Sequence, residues 1–364
     1  MSAPLAPDDV VATQAAASAN ARPPLVVMEP LLAFLAQHDL AGGAGGEVAV
    51  EPLGDGHSNV TLLLRSGGRE LVLRRPPRGP LPPSAHDVLR EARLLRALEP
   101  AVARVPRVLA VGDDPALIGA PFYVMERVRG EVVTSSVPAA LDTPAQRRRI
   151  GEELVDALVE VHAVDWRAAG LDGFSNRPEG YLERQLRRFL GLWEHNRTRE
   201  IAAVERVAAW LREHLPASPA PTIVHGDYRL GNVMLAADAP ARVNAVFDWE
   251  MATIGDPLAD VGYLCALWVQ RDDPPLGMFE LSGVTREEGF PTREELVARY
   301  ERASGRAMTD IRWYRTLALW KAVVFMEGNY RRALAGSTDD PWLHGFGEGV
   351  VALAERAEQM TSED

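Results

Sequence analysis

The sequence predicts an α+β chain in two lobes, a small antiparallel β-sheet lobe followed by a larger, mainly helical one. Three observations predict it. Apolar residues alternate through 48–73 and 108–125, the period of strands with one buried face. Beyond Gly130 they recur every three to four residues, the period of amphipathic helices. The composition changes once, near 127–130, and 364 residues suffice for two modest domains. The expected boundaries are a disordered or loosely docked tail over 1–22, a β-rich N-lobe over 23–126, and a helical C-lobe over 127–364.

The elements follow in order. Residues 1–22 are rich in Ala, Ser and Pro without a period, hence the tail. Leu31, Leu32, Phe34 and Leu35 suggest a short helix over 24–37. Val48, Val50 and Leu53 alternate ahead of Gly54-Asp55-Gly56-His57-Ser58-Asn59, and the runs 60–64 and 71–73 flank Ser66-Gly67-Gly68, giving strand, turn, strand. Val88, Leu94, Leu95 and Leu98 lie on one stripe of a helix over 86–98, and 108–111 and 122–125 are two further strands. Helices are expected over 145–162, 181–195, 199–215, 293–303 and 311–334, with short strands at 222–224, 232–235 and 243–247. No internal repeat is visible.

Composition removes several chemistries. Lys321 is the only lysine against 38 arginines. A Walker A loop and a Ser-x-x-Lys acyltransferase both need a lysine at a fixed place, and a pyridoxal enzyme would depend on Lys321 alone. The net charge of −12 argues against nucleic-acid or anionic-membrane binding, both of which need a dense cationic field. Cys265 is the single cysteine and sits in an apolar run, so no intramolecular disulfide forms and a reducing cytoplasm is expected. The N-terminus shows no signal-peptide pattern and no apolar run is long enough to span a bilayer.

The chemistry concentrates in IVHGDYRLGNVML and VNAVFDWEMATIGDPLAD. Asp227 and Asn232 are five apart, and Asp248 follows sixteen residues later at the end of an apolar strand. Phosphoryl transfer needs such a set: a carboxylate to orient and deprotonate a hydroxyl, and an amide with a second carboxylate to hold a hard cation against phosphates. Asp227 or Asn232 alone would more often be a turn or cap residue; the triple with its spacing is specific. Asp256, followed by Pro257 and an apolar helix, is expected as a helix cap, and Asp260 as a brace for the catalytic loop.

His225-Gly226-Asp227 through Asn232, Asp248-Trp249-Glu250 and Gly255-Asp256-Pro257-Leu258-Ala259-Asp260 resemble the aminoglycoside phosphotransferase and choline kinase family. So does Leu158–Asp165, and the likeness runs from about Gly54 to Tyr330. The segments Leu73-Arg74-Arg75-Pro76, Ser84-Ala85-His86-Asp87 and Phe122–Glu126 look like the branch related to the kinase domain attached to some acyl-CoA dehydrogenases. The resemblance implies a bilobal protein-kinase-like fold that uses ATP or GTP and Mg²⁺. It assigns Asp227 as base and Asn232 and Asp248 as metal ligands. In the N-lobe, Gly56, Ser58 and Asn59 would approach the nucleotide phosphates, although such a segment alone is a common hairpin. Arg74, with Glu91 as partner, takes the place of the family's strand lysine. Met125, Glu126 and Val128 would form the hinge that meets adenine; an apolar strand edge would give the same pattern. Ten arginines against four acids over 65–107 favour a polyphosphate ligand or, more blandly, a solvated face.

Only seven residues separate Asp248 from Asp256, too few for a peptide-binding activation segment, so the expected acceptor is a hydroxyl of a small molecule. Trp166, Tyr181, Trp193, Trp313, Tyr314, Trp320, Glu250, Glu327 and Arg331 are candidates for its pocket, with core packing the commoner role of aromatics at helical spacing. A homodimer is allowed. Two alternatives stand beside the kinase: a nucleotide-binding pseudokinase, suggested by Arg74, and a metal-dependent hydrolase built on His225, Asp227 and Asp248.

Overall fold

The computed structural model describes residues 4–42, 48–54, 59–79, 86–175, 177–275, 281–336 and 341–362. The chain divides into two units, residues 1–128 and 129–364, each with its own core.

In the first unit the segment expected as a tail carries secondary structure instead. Strand β1 (Val10–Val11) and helix α1 (Gln14–Ala19) precede β2 (Val26–Val27), and β1 pairs with β2 in parallel. Asp9 anchors the segment: its carbonyl accepts from the Leu25 and Val26 amides at 2.7 and 3.0 Å, and its buried carboxylate pairs with Arg22 and Arg78. Composition left a docked tail open but did not reveal these partners, some of which come from distant parts of the chain. Helix α2 (Met28–Gln37) follows. The sheet contains β3 (Val48–Pro52), β4 (Val60–Ser66), β5 (Arg69–Arg75), β6 (Val108–Gly112) and β7 (Phe122–Glu126), in the antiparallel order β3-β4-β5-β7-β6. Helix α3 (Val88–Leu98) lies between β5 and β6 in sequence; Asp87 caps it by accepting from the Arg90 amide at 2.9 Å. Leu62, Leu64, Leu71, Leu73 and Val124 join Leu31, Phe34 and Leu35 of α2 in one core, so one sheet face is covered as the alternation predicts.

The second unit begins with α4 (Pro144–His162), α5 (Tyr181–Asn196) and α6 (Ala202–Glu213). Two short antiparallel pairs follow, made of β8 (Thr222–Val224), β9 (Val233–Leu235), β10 (Val243–Val246) and β11 (Thr253–Gly255): β9 pairs with β10, and β8 with β11. The remaining helices are α7 (Leu258–Leu267), α8 (Arg293–Ser304), α9 (Ile311–Leu334) and α10 (Phe346–Thr361). Helix α9 is buried around much of its circumference, which explains its apolar, aromatic sequence. It approaches α7 closely at Gly262, where a Cβ would stand 2.4 Å from Tyr314 Cβ. Helix α10 lies beyond the last helix expected from sequence and packs on α6 and α9. Among the described residues no helix is long and apolar enough to cross a membrane.

Candidate active site

The two short strand pairs assemble the site. Register pairs Val233 with Val246, so Asn232, just before β9, and Asp248, two residues after β10, meet at the open end of one hairpin. The Phe247 amide donates to the Asn232 carbonyl at 2.9 Å. A separation of sixteen residues in sequence is thus closed by strand pairing. The other pair aligns Thr253 with Val224 and brings the His225-Gly226-Asp227 turn against Met251. Gly226 has φ +87°, and a Cβ there would sit 2.8 Å from the Met251 carbonyl oxygen. Only glycine fits such a position without strain.

Asp227 is held from several sides. Asn232 Nδ2 donates to its carbonyl at 2.8 Å and to its Oδ2 at 2.6 Å, and Arg229 Nε lies 3.5 Å from Oδ1. Burial, then the charge of Asp227, push the phenol of Tyr263 on α7 well above its ordinary value, so it stays protonated. Sequence reasoning missed Tyr263. The available signal was its place three residues after Asp260, on the same face of an apolar helix. Asn232 is buried, and with Nδ2 committed to Asp227 its Oδ1 has no partner among the described residues. Asp248 has φ +65° and ψ +59°, a left-handed conformation uncommon outside glycine that turns the chain sharply at the strand end.

Asp260 braces the turn, as expected. Its Oδ2 accepts from the His225 amide at 2.6 Å and its Oδ1 from the Gly226 amide at 2.8 Å. His162 Nε2 lies 3.2 Å from Oδ2, and Tyr300 Oη lies 2.8 Å from His162 Nδ1. Burial lowers the His162 pKa and raises that of Tyr300, so the phenol donates to Nδ1 and the neutral imidazole donates through Nε2. Burial opposes ionisation of Asp260, yet the hydrogen bonds from His162 and from the Gly226 amide hold it below the ordinary carboxylate value. His225 is enclosed in the same way: Nε2 donates to the Phe247 carbonyl at 2.8 Å, and Nδ1 accepts from the Asp227 amide at 3.2 Å.

Asp256 also acts structurally. Pro257 occupies the cap of α7, one residue later than expected, while Asp256 Oδ1 accepts from the Leu258 amide at 2.9 Å and Oδ2 from the Tyr314 hydroxyl at 2.8 Å.

In the first unit, Arg74 Nε pairs with Glu91 Oε2 at 2.9 Å, and Arg74 Nη1 donates to Thr61 Oγ1 at 3.2 Å. Arg75 faces the other side, buried among the carbonyls of Leu25, Pro76 and Ile118. Asn59 is buried with Oδ1 3.2 Å from His86 Nδ1; Gly56 and Ser58 lie outside the described residues. Met125 and Glu126 end β7, an inner strand between β5 and β6, with Val128 just beyond.

Several pocket candidates prove to be core. The indole N–H groups of Trp166, Trp193, Trp313 and Trp320 donate to Pro221 O, Glu205 Oε1, Leu211 O and Val204 O. Glu327 is buried and accepts from the Thr198 amide and hydroxyl at 2.7 Å each, whereas Arg331 is exposed and donates to the His195 carbonyl. Tyr181 and Tyr314 line a small cavity with Gly226, Asp260, Tyr263 and Lys321. Among the described residues no three His, Cys, Asp or Glu side chains converge as a metal cage.

A small antiparallel sheet followed by a helical region with these strand pairs defines a kinase-like phosphotransferase fold. The comparisons agree: the phosphotransferase enzyme family matches residues 49–315. The chain belongs to that family. Acyl-CoA dehydrogenase family member 10 of Mus musculus is 36% identical over 305 residues, covering 83% of this chain and 28% of that protein. Acyl-CoA dehydrogenase family member 11 of Gallus gallus is 32% identical over 324 residues, covering 87% and 41%. The chain thus spans less than half the length of these curated relatives. A crystal structure of a Ralstonia eutropha JMP134 protein is similar with a TM-score of 0.78 at 31% identity, covering 92% of this chain and 98% of that one. An aminoglycoside phosphotransferase mutant in ternary complex with AMP-PNP and hygromycin B, at 15% identity and TM-score 0.58 over 92% and 99%, shares the fold.

Proposed function

We propose that this phosphotransferase moves the γ-phosphoryl group of ATP or GTP to a hydroxyl of a small molecule, with Asp227 as base. The observation that carries the reading is the lock between Asp227 and Asn232. One amide nitrogen fixes both the backbone and the carboxylate of the base, while the amide oxygen is left for a cation. As the acceptor oxygen attacks the γ-phosphorus, its proton passes to Asp227; the new P–O bond forms while the bond to the nucleoside diphosphate breaks and that product leaves.

Asn232 and Asp248 would hold Mg²⁺, which supplies charge neutralisation at the phosphates. In the first unit Gly56, Ser58 and Asn59 are to approach phosphate oxygens, and Met125, Glu126 and Val128 to meet the adenine. Arg74, oriented by Glu91, takes the phosphate-binding role of a lysine. Arginine keeps the charge and adds a planar fork suited to phosphate, and its ion pair weakens the pseudokinase alternative. The names of the curated relatives favour a hydroxylated metabolite or acyl derivative as acceptor over an aminoglycoside. A buried free Cys265 suits a reducing cytoplasm.

Replacement Asp227→Ala tests the reading. Turnover across a panel of alcohols should fall by about 10²-fold or more, while calorimetric titration with ATP and magnesium stays near wild type. An unchanged rate rejects Asp227 as base, and nucleotide binding without any product in the wild type favours the pseudokinase.

A further inference from the structure

The phosphotransfer scheme uses none of Ser84-Ala85-His86-Asp87, of which His86 and Asp87 are described residues. His86 is the unusual member. Its backbone is left-handed, with φ +59°, a conformation that costs a residue other than glycine. It stands directly before Asp87, the cap of α3, and its carbonyl accepts from the Val88 amide at 3.0 Å. Glycine would serve such a turn with less strain. What glycine lacks is the imidazole, which reaches back to Asn59 with Nδ1 3.2 Å from Oδ1. A carboxamide oxygen only accepts, so Nδ1 carries the proton and donates. Asn59 is buried where the segment 54–59 enters β4.

That hydrogen bond closes a ring within the first unit. Two residues beyond Asn59, Thr61 Oγ1 accepts from Arg74 Nη1 at 3.2 Å, and the two residues face each other across β4 and β5. Arg74 Nε in turn pairs with the Glu91 carboxylate at 2.9 Å. Glu91 is buried in the first turn of α3, and its amide donates to the carbonyl of Asp87, the neighbour of His86, at 3.1 Å. The start of α3 is therefore tied to the sheet at Arg74 and again at Asn59. One tether would let the helix pivot about the ion pair; the second removes that freedom before a ligand arrives, which lowers the ordering cost of binding.

We propose that His86 is a positioning residue for the nucleotide triphosphate: its imidazole anchors Asn59, and with it the end of the segment 54–59, to the helix whose Glu91 orients Arg74. This rests on Asn59 and Arg74 as phosphate contacts and adds to that reading the group that keeps the two in register. His86 acts through them and not on the phosphates.

Two replacements separate the imidazole from the turn. His86→Gly keeps the left-handed backbone and deletes the tether, whereas His86→Asn tolerates that backbone and carries an amide N–H in place of Nδ1. In the full chain, calorimetric titration with ATP and magnesium should show His86→Gly binding about tenfold more weakly. KM for ATP should rise in step, with kcat within about twofold of wild type and the melting temperature near it. His86→Asn should recover affinity to within about threefold of wild type. In an Asn59→Ala background, His86→Gly should add less than about twofold, because the partner it acts through is gone. Should His86→Gly not fold, His86→Gln takes its place: its amide lies one bond beyond the position of Nδ1, so it should lose affinity where His86→Asn does not. Wild-type ATP affinity in the glycine variant, no recovery in His86→Asn, or a full tenfold effect in the Asn59→Ala background overturns the inference. Calorimetry reads binding without turnover, so the two readings fail separately. A wild type that binds no ATP rejects the nucleotide reading and this inference with it, whereas ATP binding that His86→Gly leaves unchanged rejects the role of His86 alone.

Discussion

Asp227 shows how a proposed base is kept in one orientation by groups that need not react. Asn232 Nδ2 fixes Oδ2 at 2.6 Å, and the Tyr263 phenol, kept neutral by burial and by the Asp227 charge, belongs to α7 nearby. A base locked before the acceptor arrives spends no reorganisation at the moment of reaction. Tyr263→Phe removes this phenol hydroxyl and little volume. It should lower kcat by about tenfold, the scale of ~1.5 kcal/mol for a hydrogen bond to a charged group. KM for the nucleotide and the melting temperature should hold; steady-state kinetics beside a thermal melt check it. A drop in KM terms alone would assign Tyr263 to acceptor binding instead.

At the scale of elements, the site depends on how α7 starts and where α9 crosses it. Asp256 serves both, accepting from the Leu258 amide at the beginning of α7 and from the Tyr314 hydroxyl of α9. Both donors are buried, so Asp256→Ala leaves two polar groups without an acceptor. The expected loss is about 2–4 kcal/mol, read as a lower midpoint in denaturant unfolding with an unchanged slope. Asp256→Asn keeps one oxygen acceptor and should cost markedly less.

For the molecule as a whole, the buried His162–Asp260 pair links stability to acidity. The folded pKa of His162 lies below its ordinary 6.5 because burial disfavours the imidazolium. The unfolded chain therefore takes up a proton first as pH falls. Stability is fully present above about 6.5 and declines below it, until the folded imidazole also titrates. Asp260, held below 3.8, has the same sign and adds its loss at more acid pH. The melting temperature should fall between pH 7 and pH 5.5, and His162→Asn, which keeps an amide donor toward Asp260, should flatten that decline. An identical slope in wild type and variant would place the acid sensitivity elsewhere.

Local pattern made much of this legible. Alternation located the five-stranded sheet, helical spacing located most of α3 to α9, and Asp227, Asn232 and Asp248 were recognisable from their spacing and side-chain chemistry. Sequence by itself thus determined the α+β order of elements and the family, because a short period or motif carries each of them. Tertiary structure alone decided the docking of residues 4–22, the packing of α10, the burial of Trp193, Trp313 and Trp320 in the core, and the meeting of Tyr263 and Lys321 at one cavity. These depend on contacts between residues far apart in the chain, where no local period records which face will find which partner.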